Sequence, residues 1–392
     1  MAASNDIKEG RRARLSRGSI VMPQTSTLPQ ARKLLGLEGL RFLATVAVLL
    51  WHYQHFAFAG GAAVAPTRTE LPFYRVLFPF YEAGEYGVWF FWCISGFIFF
   101  WKYRTVVADR TIDGRTFFVY RLSRLYPLHI ATLLLVAVLQ PIYFAQHGVY
   151  FVYQNNDVPH FVAQLFMASD WLPPRSQSFN GPIWSVSVEI LCYAIFFLLL
   201  RFVTASPLLN VVMILASLMF GTQVGTSLAF FYAGGLAAMA REAIASSRRR
   251  QIVEAMAWCV AIAVPAALWL ADIELVPIVG PLLLAYTPIL LFCCSGQLTL
   301  PRRIETMLEV AGNMTYSCYL LHFPIQLAIA LACAALQRPI PYGDHLFWAA
   351  FVLPTLVASH FTYRWFEAPA QRLMRGTLLR KKQAGRTSPA PL

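Results

Sequence analysis

Long apolar stretches, separated by short polar or basic segments, recur along almost the whole chain. A helix that crosses the hydrocarbon core of a bilayer needs about 20 mainly apolar residues. On this criterion we predict membrane-spanning helices at residues 37–58, 84–102, 125–146, 181–201, 207–222, 224–241, 253–271, 275–295, 309–334 and 345–365. The hydrophobic pattern therefore predicts an all-α, polytopic membrane protein of about ten transmembrane helices.

The polar segments complete the predicted domain organisation. Residues 1–36 are polar and basic, and we predict a disordered cytosolic tail. Residues 37–366 form the membrane domain, and residues 367–392 a cytosolic amphipathic helix followed by a basic tail. The segment 147–180 is rich in Asn, Asp, Pro, Ser and aromatic residues. It is too long for a simple turn, so we expect it to lie over the outer mouth of a cavity.

Composition supports the membrane class, and charge predicts the orientation. The chain is 58% hydrophobic and only 13% charged, with a mean hydropathy of +0.54, whereas a soluble domain carries about 25% charged residues. Of the 32 Lys and Arg residues, one lies within span 1 and four lie on one side of the predicted membrane, which leaves 27 on the other. Basic residues collect in cytosolic loops, so we predict that both termini are cytosolic. This topology accounts for the net charge of +13 without a nucleic-acid partner.

Familiar motifs for metals and nucleotides are absent from the sequence. The seven cysteines lie in apolar stretches and show no C-x-x-C or other metal-ligand spacing, which argues against zinc and against a disulfide framework. There is no G-x-x-x-x-G-K-[ST], no G-x-S-x-G and no H-E-x-x-H. We therefore predict no metal and no permanently bound cofactor.

Predicted span 1 carries two ionisable residues in an otherwise apolar helix, Arg41 and His52. Eleven residues of α-helix return to within about 20° of the same face and rise about 16 Å. The two side chains therefore share one face, with Arg41 at the inner end and His52 in the outer half. As functional groups, Arg41 is suited to binding a phosphate and His52 is suited to transferring a proton. The alternatives are that Arg41 reaches lipid phosphates and that His52 bonds a neighbouring backbone carbonyl.

Two further ionisable residues lie deep within predicted spans. Glu189 lies about 12 Å below the outer end of span 4, with Ser185 one turn above it, and His322 lies about 18 Å up span 9. A charge at such depth costs roughly 3 kcal/mol unless it is paired or hydrated. We expect His52, Glu189 and His322 to converge in the outer half of the membrane. The alternatives are a structural ion pair for Glu189 and a local backbone bond for His322.

The segment before predicted span 3 is basic, and Arg121 and Arg124 lie one turn apart in it. Arginine binds phosphate through two parallel hydrogen bonds, so a nucleotide-like or polyphosphate ligand is one interpretation. The other is the general enrichment of basic residues in cytosolic loops.

Six stretches together identify a family. They are GLEGLRFLATVAVLLWH, GVWFFWCISGFIF, FVYRLSRLYPLH, IWSVSVEILCY, GNMTYSCYLLHFPI and RWFEAPAQR, in this order. With them the chain resembles the acyltransferase-3 family of integral membrane acyltransferases, typified by bacterial O-acetyltransferases of surface and exported glycans. The resemblance runs from about residue 36 to 372. The departures are Glu38, where Asp is common, and Trp89 and Cys93, where Leu and Val are common.

The resemblance implies roles for particular residues. His52 matches the family's catalytic base, and Arg41 matches the basic residue that precedes it in span 1. In this interpretation Glu189 orients His52, and Tyr316 or Ser317 donates a hydrogen bond to the developing oxyanion. The residues assigned to substrate binding are Arg41, Arg121, Arg124, Trp184, Ser185 and His322.

The implied reaction is acyl transfer from cytosolic acyl-CoA, with acetyl expected and succinyl as an alternative, to a hydroxyl of a glycan, a lipid-linked saccharide or a similar exported molecule. A direct transfer and an acyl-histidine intermediate both stay open, as does the oligomeric state. The expected location is the bacterial inner membrane, with membrane lipids around a multi-pass domain. The rival function is a proton-coupled transporter that uses Glu189, His52 and His322, although no duplicated halves are visible.

Overall fold

The computed structural model describes residues 34–61, 67–171, 177–245, 248–271 and 278–384, and in these residues the chain is helical, without a β-strand. The α-helices are α1 (Leu35–His52), α2 (Tyr74–Ala83), α3 (Gly87–Ala108), α4 (Gly114–His147), α5 (Val158–Leu165), α6 (Ile183–Phe202), α7 (Pro207–Leu218), α8 (Gln223–Ile244), α9 (Arg250–Leu270), α10 (Val279–Cys294), α11 (Arg302–Asn313), α12 (Thr315–Ala335), α13 (His345–Thr362) and α14 (Ala368–Ala384). Most of the predicted tail at 1–36, and residues 385–392 of the predicted C-terminal tail, lie outside the described residues.

Each predicted span overlaps a helix, but the helices differ in length, and the span at 309–334 begins in α11 and continues through α12. Within the described residues, seven segments are long and apolar enough to cross a membrane: Leu35–Ala59, Tyr74–Ala108, Gly114–His147, Ile183–Phe202, Arg250–Leu268, Thr315–Ala335 and His345–Leu379. The predicted spans at 207–222 and 275–295 are the shorter apolar helices α7 and α10, and the span at 224–241 is α8. The all-α class holds for the described residues, whereas the count of ten spans and the cytosolic termini stay predictions.

Local sequence signals set several helix ends. The Asp113 side chain accepts a hydrogen bond of 2.9 Å from the Thr116 amide and caps α4, a helix of 34 residues that is followed by Gly148 with φ 72°. Asp344 caps α13 in the same way through the Phe347 amide, at 2.8 Å. Side-chain oxygens satisfy the free amides of a first turn, and glycine adopts the left-handed conformation at low cost. These ends are therefore encoded locally.

Helices α3 and α8 pack against each other at very short range. A Cβ atom on Gly96 would lie 1.8 Å from the Phe231 carbonyl oxygen, and one on Gly234 would lie 1.9 Å from the Cys93 carbonyl oxygen. Small residues allow helices in a membrane to approach closely and gain dispersion energy. Helix α3 also contacts α1 and α6. Its close packing against α8 therefore fixes the position of the helix that lines the candidate site.

A proline in α12 ties this helix to the segment that precedes α6. Pro324 has no N–H, so the carbonyl of Leu320 lacks its helical partner. The Asn180 side chain, which is fully buried, donates a hydrogen bond of 3.1 Å to that carbonyl. The segment is held further by Phe151 and Tyr153, which pack in one apolar cluster with Phe323 of α12. The described parts of segment 147–180 are thus anchored on α12, and their position over an outer cavity mouth stays a prediction.

Candidate active site

Two separate cavities contain the candidate residues, and α1 contributes to both. The first, here called the arginine cavity, has a volume of about 100 Å³ and contains Arg41; its other polar lining residues include Arg121, Arg124, Ser185, Glu189 and Tyr316. The second, here called the histidine pocket, has a volume of about 760 Å³ and contains His52, His55 and Trp184. Arg41 and His52 therefore share one helix, as predicted, but Arg41 lines the arginine cavity and His52 lines the histidine pocket.

Arg41 is held inside the protein rather than extended toward lipid. Its Nη1 atom lies 3.1 Å from a carboxylate oxygen of Glu38, and its Nη2 donates to the Thr315 hydroxyl at 3.3 Å. Both charged side chains are about 15% exposed, at 13% and 16%. Arg41 therefore lies within the protein, held by Glu38, and its role in substrate binding stays a prediction.

Arg121 is positioned by aromatic rings. Its guanidinium carbon lies 4.0 Å from the ring centre of Phe99 and 4.4 Å from that of Tyr103. Its Nε atom is buried without a hydrogen-bond partner. Stacking on aromatic faces stabilises the cation and fixes the plane of the guanidinium group. Arg121 is thus preorganised toward the same cavity as Arg124.

The surroundings of this cavity are more basic than the sequence interpretation suggested. Electrostatic interactions link the three arginines to Lys102 and Arg375, and also to the carboxylates of Glu38, Glu189 and Glu367. Five cations thus face three carboxylates. Arg375 lies in α14 and donates to the Ser123 hydroxyl at 3.0 Å, a contact 252 residues apart in sequence that no local pattern could predict.

Glu189 does not contact His52. Its carboxylate accepts a hydrogen bond of 2.5 Å from the Tyr193 hydroxyl one turn further along α6, and it lines the arginine cavity. The expectation that Glu189 orients His52 is therefore wrong for this structure. The rotation of α6 directs the carboxylate toward Arg41 and Arg124 instead.

His52 is oriented by backbone groups. Its Nδ1 atom lies 2.8 Å from the Val48 carbonyl oxygen, which can only accept, so Nδ1 carries the proton in the neutral ring. The other ring nitrogen, Nε2, is left as a free base on a side chain that lines the histidine pocket. The Gln326 amide donates to the His52 carbonyl at 2.8 Å and fixes the end of α1. The backbone bond that was predicted as the alternative for His52 is therefore present, and the role of His52 as a base stays a prediction.

His322 lies beside His52, as predicted. The two ring centres are 4.7 Å apart. The Nδ1 atom of His322 lies 3.3 Å from the Cys318 carbonyl oxygen, whereas its Nε2 is buried without a partner. The side chain is only 1% exposed. An unsatisfied buried acceptor costs free energy, so this nitrogen is suited to a hydrogen bond from a bound molecule.

The hydroxyls of Tyr316 and Ser317 are engaged within the protein. Tyr316 donates to the Leu125 carbonyl at 2.7 Å, and Ser317 donates to Glu367 at 2.6 Å. Neither proton is free for an oxyanion in this arrangement, and their catalytic role stays a prediction. Glu367 was missed as a site residue, although it lies within the motif RWFEAPAQR. A π-helical turn at Tyr363–Glu367 directs this carboxylate into the core, where it is 3% exposed.

The histidine pocket has walls of aromatic rings and amides. The rings belong to Trp51, Phe58, Tyr86, Trp89, Tyr153 and Trp184, and the amides to Gln54, Gln154, Gln177 and Gln223. The predicted substrate-binding residue Trp184 lines this pocket, whereas Ser185 lines the arginine cavity. Among the described residues, no group of three His, Cys, Asp or Glu side chains is placed to hold a metal ion.

Comparisons with known proteins agree on one type of activity. The family model described as an acyltransferase domain, of the acyltransferase-3 type, matches residues 34–364. The chain is also similar to Acyltransferase MdmB from Streptomyces mycarofaciens, with 28% identity over 187 residues. This alignment covers 46% of the chain and 42% of the relative, so less than half of that relative's length is matched. No solved structure matches the chain.

Proposed function

The chain belongs to the acyltransferase-3 family, as its motifs predicted, and from this premise we propose that it transfers an acyl group from cytosolic acyl-CoA to a hydroxyl of a glycan, a lipid-linked saccharide or a similar exported acceptor. Acetyl is the expected group, and the bacterial inner membrane the expected location. The observation that carries the proposal is that α1 presents Arg41 to one cavity and His52 to another. One cavity suits the anionic end of the donor and the other suits a hydroxylated acceptor.

The donor side of the proposal rests on the arginine cavity. Arg121 and Arg124 bind the phosphates of acyl-CoA, with Arg41 deeper in the cavity. The guanidinium forks match phosphate geometry, and five cations against three carboxylates leave an excess of positive charge for a polyanion. About 16 Å of helix separates Arg41 from His52, a distance suited to the long, thin pantetheine arm.

The acceptor side rests on the histidine pocket. Aromatic faces pack against the apolar faces of sugar rings, and amide groups bond hydroxyls in either direction. The pocket offers both, in a volume of about 760 Å³. Its composition therefore supports a saccharide or a comparably hydroxylated molecule.

The proposed acyl transfer uses Nε2 of His52 as the general base. The acceptor oxygen attacks the thioester carbonyl carbon while its proton passes to Nε2 of His52, which the Val48 bond keeps unprotonated. The tetrahedral intermediate then expels the CoA sulfur. The C–S bond breaks, the imidazolium returns the proton to the thiolate, and the products are an ester and free CoA. No external oxidant or reductant is needed.

Radiolabel transfer tests the proposal. Membranes from the native cells, which supply the acceptor, receive [14C]acetyl-CoA, and label is counted in lipid and polysaccharide fractions. We expect label with the wild-type protein and at least 100-fold less with His52→Ala, since general base catalysis contributes roughly 10²–10⁴-fold. His360→Ala, at a half-buried histidine of α13, serves as the matched control and keeps the activity. Equal labelling by folded His52→Ala protein contradicts the proposal, and solute uptake driven by a pH gradient without acylation favours the transporter.

A further inference from the structure

Two histidines, three residues apart, line the histidine pocket at the end of α1. His52 is the last residue of α1, and the chain continues as a 3₁₀ helix over Tyr53–Gly61, which contains His55. A 3₁₀ helix has about three residues per turn, so side chains at i and i+3 lie on one face. The two ring centres are accordingly 4.8 Å apart, and both side chains line the pocket. The change of helix type therefore places a second imidazole beside the first.

The side chain of Gln326 connects the two histidines and determines which nitrogen of His55 carries a proton. Its Nε2 donates to the His52 carbonyl oxygen at 2.8 Å, an atom that can only accept. The amide oxygen of Gln326 therefore faces His55, whose Nδ1 lies 3.2 Å away. Because this oxygen also only accepts, Nδ1 of the neutral His55 ring is the donor and Nε2 carries a free lone pair. His55 thus has the same tautomer as His52.

The Nε2 atom of His55 is available to a molecule in the pocket. Among the described residues no group bonds this atom, and protein does not enclose it as it encloses Nε2 of His322. The rings of Tyr153 and Phe323 contact the His55 ring edge-on, with centres 5.8 Å and 6.2 Å away, and hold it in place. A second, fixed hydrogen-bond acceptor therefore lies beside the proposed base.

Two neighbouring imidazoles with free Nε2 atoms suit two neighbouring hydroxyls of one molecule. On the basis of the proposed function, on which this step rests, we propose that His55 binds the acyl acceptor: its Nε2 accepts a hydrogen bond from a second hydroxyl, next to the one that gives its proton to His52. Ring centres 4.8 Å apart suit hydroxyls on adjacent carbons. The second hydroxyl keeps its proton, so the bonds formed and broken are those of the proposed transfer. The class of acyl acceptor is a molecule with adjacent hydroxyls, such as a sugar ring, and not an isolated alcohol.

Paired substitutions of His55 separate binding of the acyl acceptor from a structural role. In His55→Gln the amide reaches the position of Nε2, whereas in His55→Asn it reaches only that of Nδ1 and can keep the bond to Gln326. Purified full-length protein in lipid nanodiscs receives [14C]acetyl-CoA and increasing amounts of a lipid and glycan extract of native membranes. We expect His55→Ala and His55→Asn to raise the KM for the extract about tenfold, through the loss of one hydrogen bond, and His55→Gln to stay within about threefold of the wild type. The KM for acetyl-CoA should not change.

The matched control is His147→Ala, which should leave both KM values unchanged. Nδ1 of His147 also bonds a backbone carbonyl, that of Tyr143 at 3.1 Å, but His147 lines neither cavity. NMR of the esterified product should show a free hydroxyl on a carbon next to the esterified one. If His55→Ala fails to fold, the comparison of Asn with Gln carries the test. Recovery by Asn and not by Gln, an unchanged KM for the extract in folded His55→Asn, or an esterified carbon without such a neighbour overturns the inference. Absence of label with the wild type would instead overturn the proposed function.

Discussion

Replacing Arg121 by lysine separates the contribution of the planar guanidinium group from the contribution of the positive charge in the arginine cavity. The guanidinium lies 4.0 Å and 4.4 Å from the ring centres of Phe99 and Tyr103, which fixes its plane. Lysine keeps the positive charge but presents a single ammonium group, which cannot bind a phosphate through two parallel bonds. We therefore expect weaker binding of acyl-CoA with little change in the chemical step.

The size of the effect follows from two contributions. A hydrogen bond to a charged group is worth about 1.5–3 kcal/mol, and loss of the stacked arrangement costs about 0.5–2 kcal/mol. The retained charge recovers part of this sum, so a net loss of about 1.4–2.8 kcal/mol is expected. Because about 1.4 kcal/mol corresponds to a factor of ten, the KM for acyl-CoA should rise about 10- to 100-fold, with kcat nearly unchanged.

The assay compares two donors in membranes that contain the native acceptor. Acetyl-CoA carries the phosphates, whereas acetyl-pantetheine lacks them, so only the first should respond to Arg121→Lys. Arg115→Lys is the matched control, because Arg115 lies in the same helix but is exposed and donates to the Leu378 carbonyl at 2.8 Å. If KM rises equally for both donors, Arg121 does not bind the phosphates and the assignment of the arginine cavity is wrong.

Three further predictions concern the positions that build the site. Glu189→Gln should lower the KM for acyl-CoA several-fold, because it removes a carboxylate beside the arginines, and should leave the pH dependence of kcat unchanged; a fall in kcat by orders of magnitude would restore a role in orienting His52. Asn180→Ala should destabilise the protein by about 1–3 kcal/mol, seen as a lower thermal midpoint in detergent, whereas the exposed Asn155→Ala should not. Gly234→Ala should lower the yield of monodisperse protein, because its Cβ would meet the Cys93 carbonyl; Gly376→Ala, with no atom within 4 Å of the added carbon, should fold normally, and equal yields would contradict the packing argument.

The site also shows where reasoning from one helix fails. The spacing of Arg41 and His52 predicted a shared face of α1, and both residues do lie on one helix with a cavity at each. The same reasoning gave Glu189 a plausible depth but said nothing of its direction around the axis of α6 relative to α1. Depth depends on helical rise alone, whereas contact depends on how two helices pack.

The contacts of some site residues could not be predicted from any local sequence pattern. Glu367 meets Ser317 across 50 positions in sequence, and it points inward because the chain forms a π-helical turn there. Gln326 reaches the His52 carbonyl from a distance of 274 positions. A sequence can mark such residues as buried and polar, but their partners are defined only when α12 packs against α1.

By itself, the sequence determined the all-helical membrane class and the family, and it nominated the candidate site residues, because apolar length, helical periodicity and local motifs act over short distances along the chain. Only the tertiary structure decided that these residues divide between two cavities, with Glu189 beside the arginines and His322 beside His52. The physical reason is that such contacts depend on the rotation and close packing of helices, as at Gly96 and Gly234. Neither the rotation nor the packing of a helix can be read from the hydrophobic pattern of that helix alone.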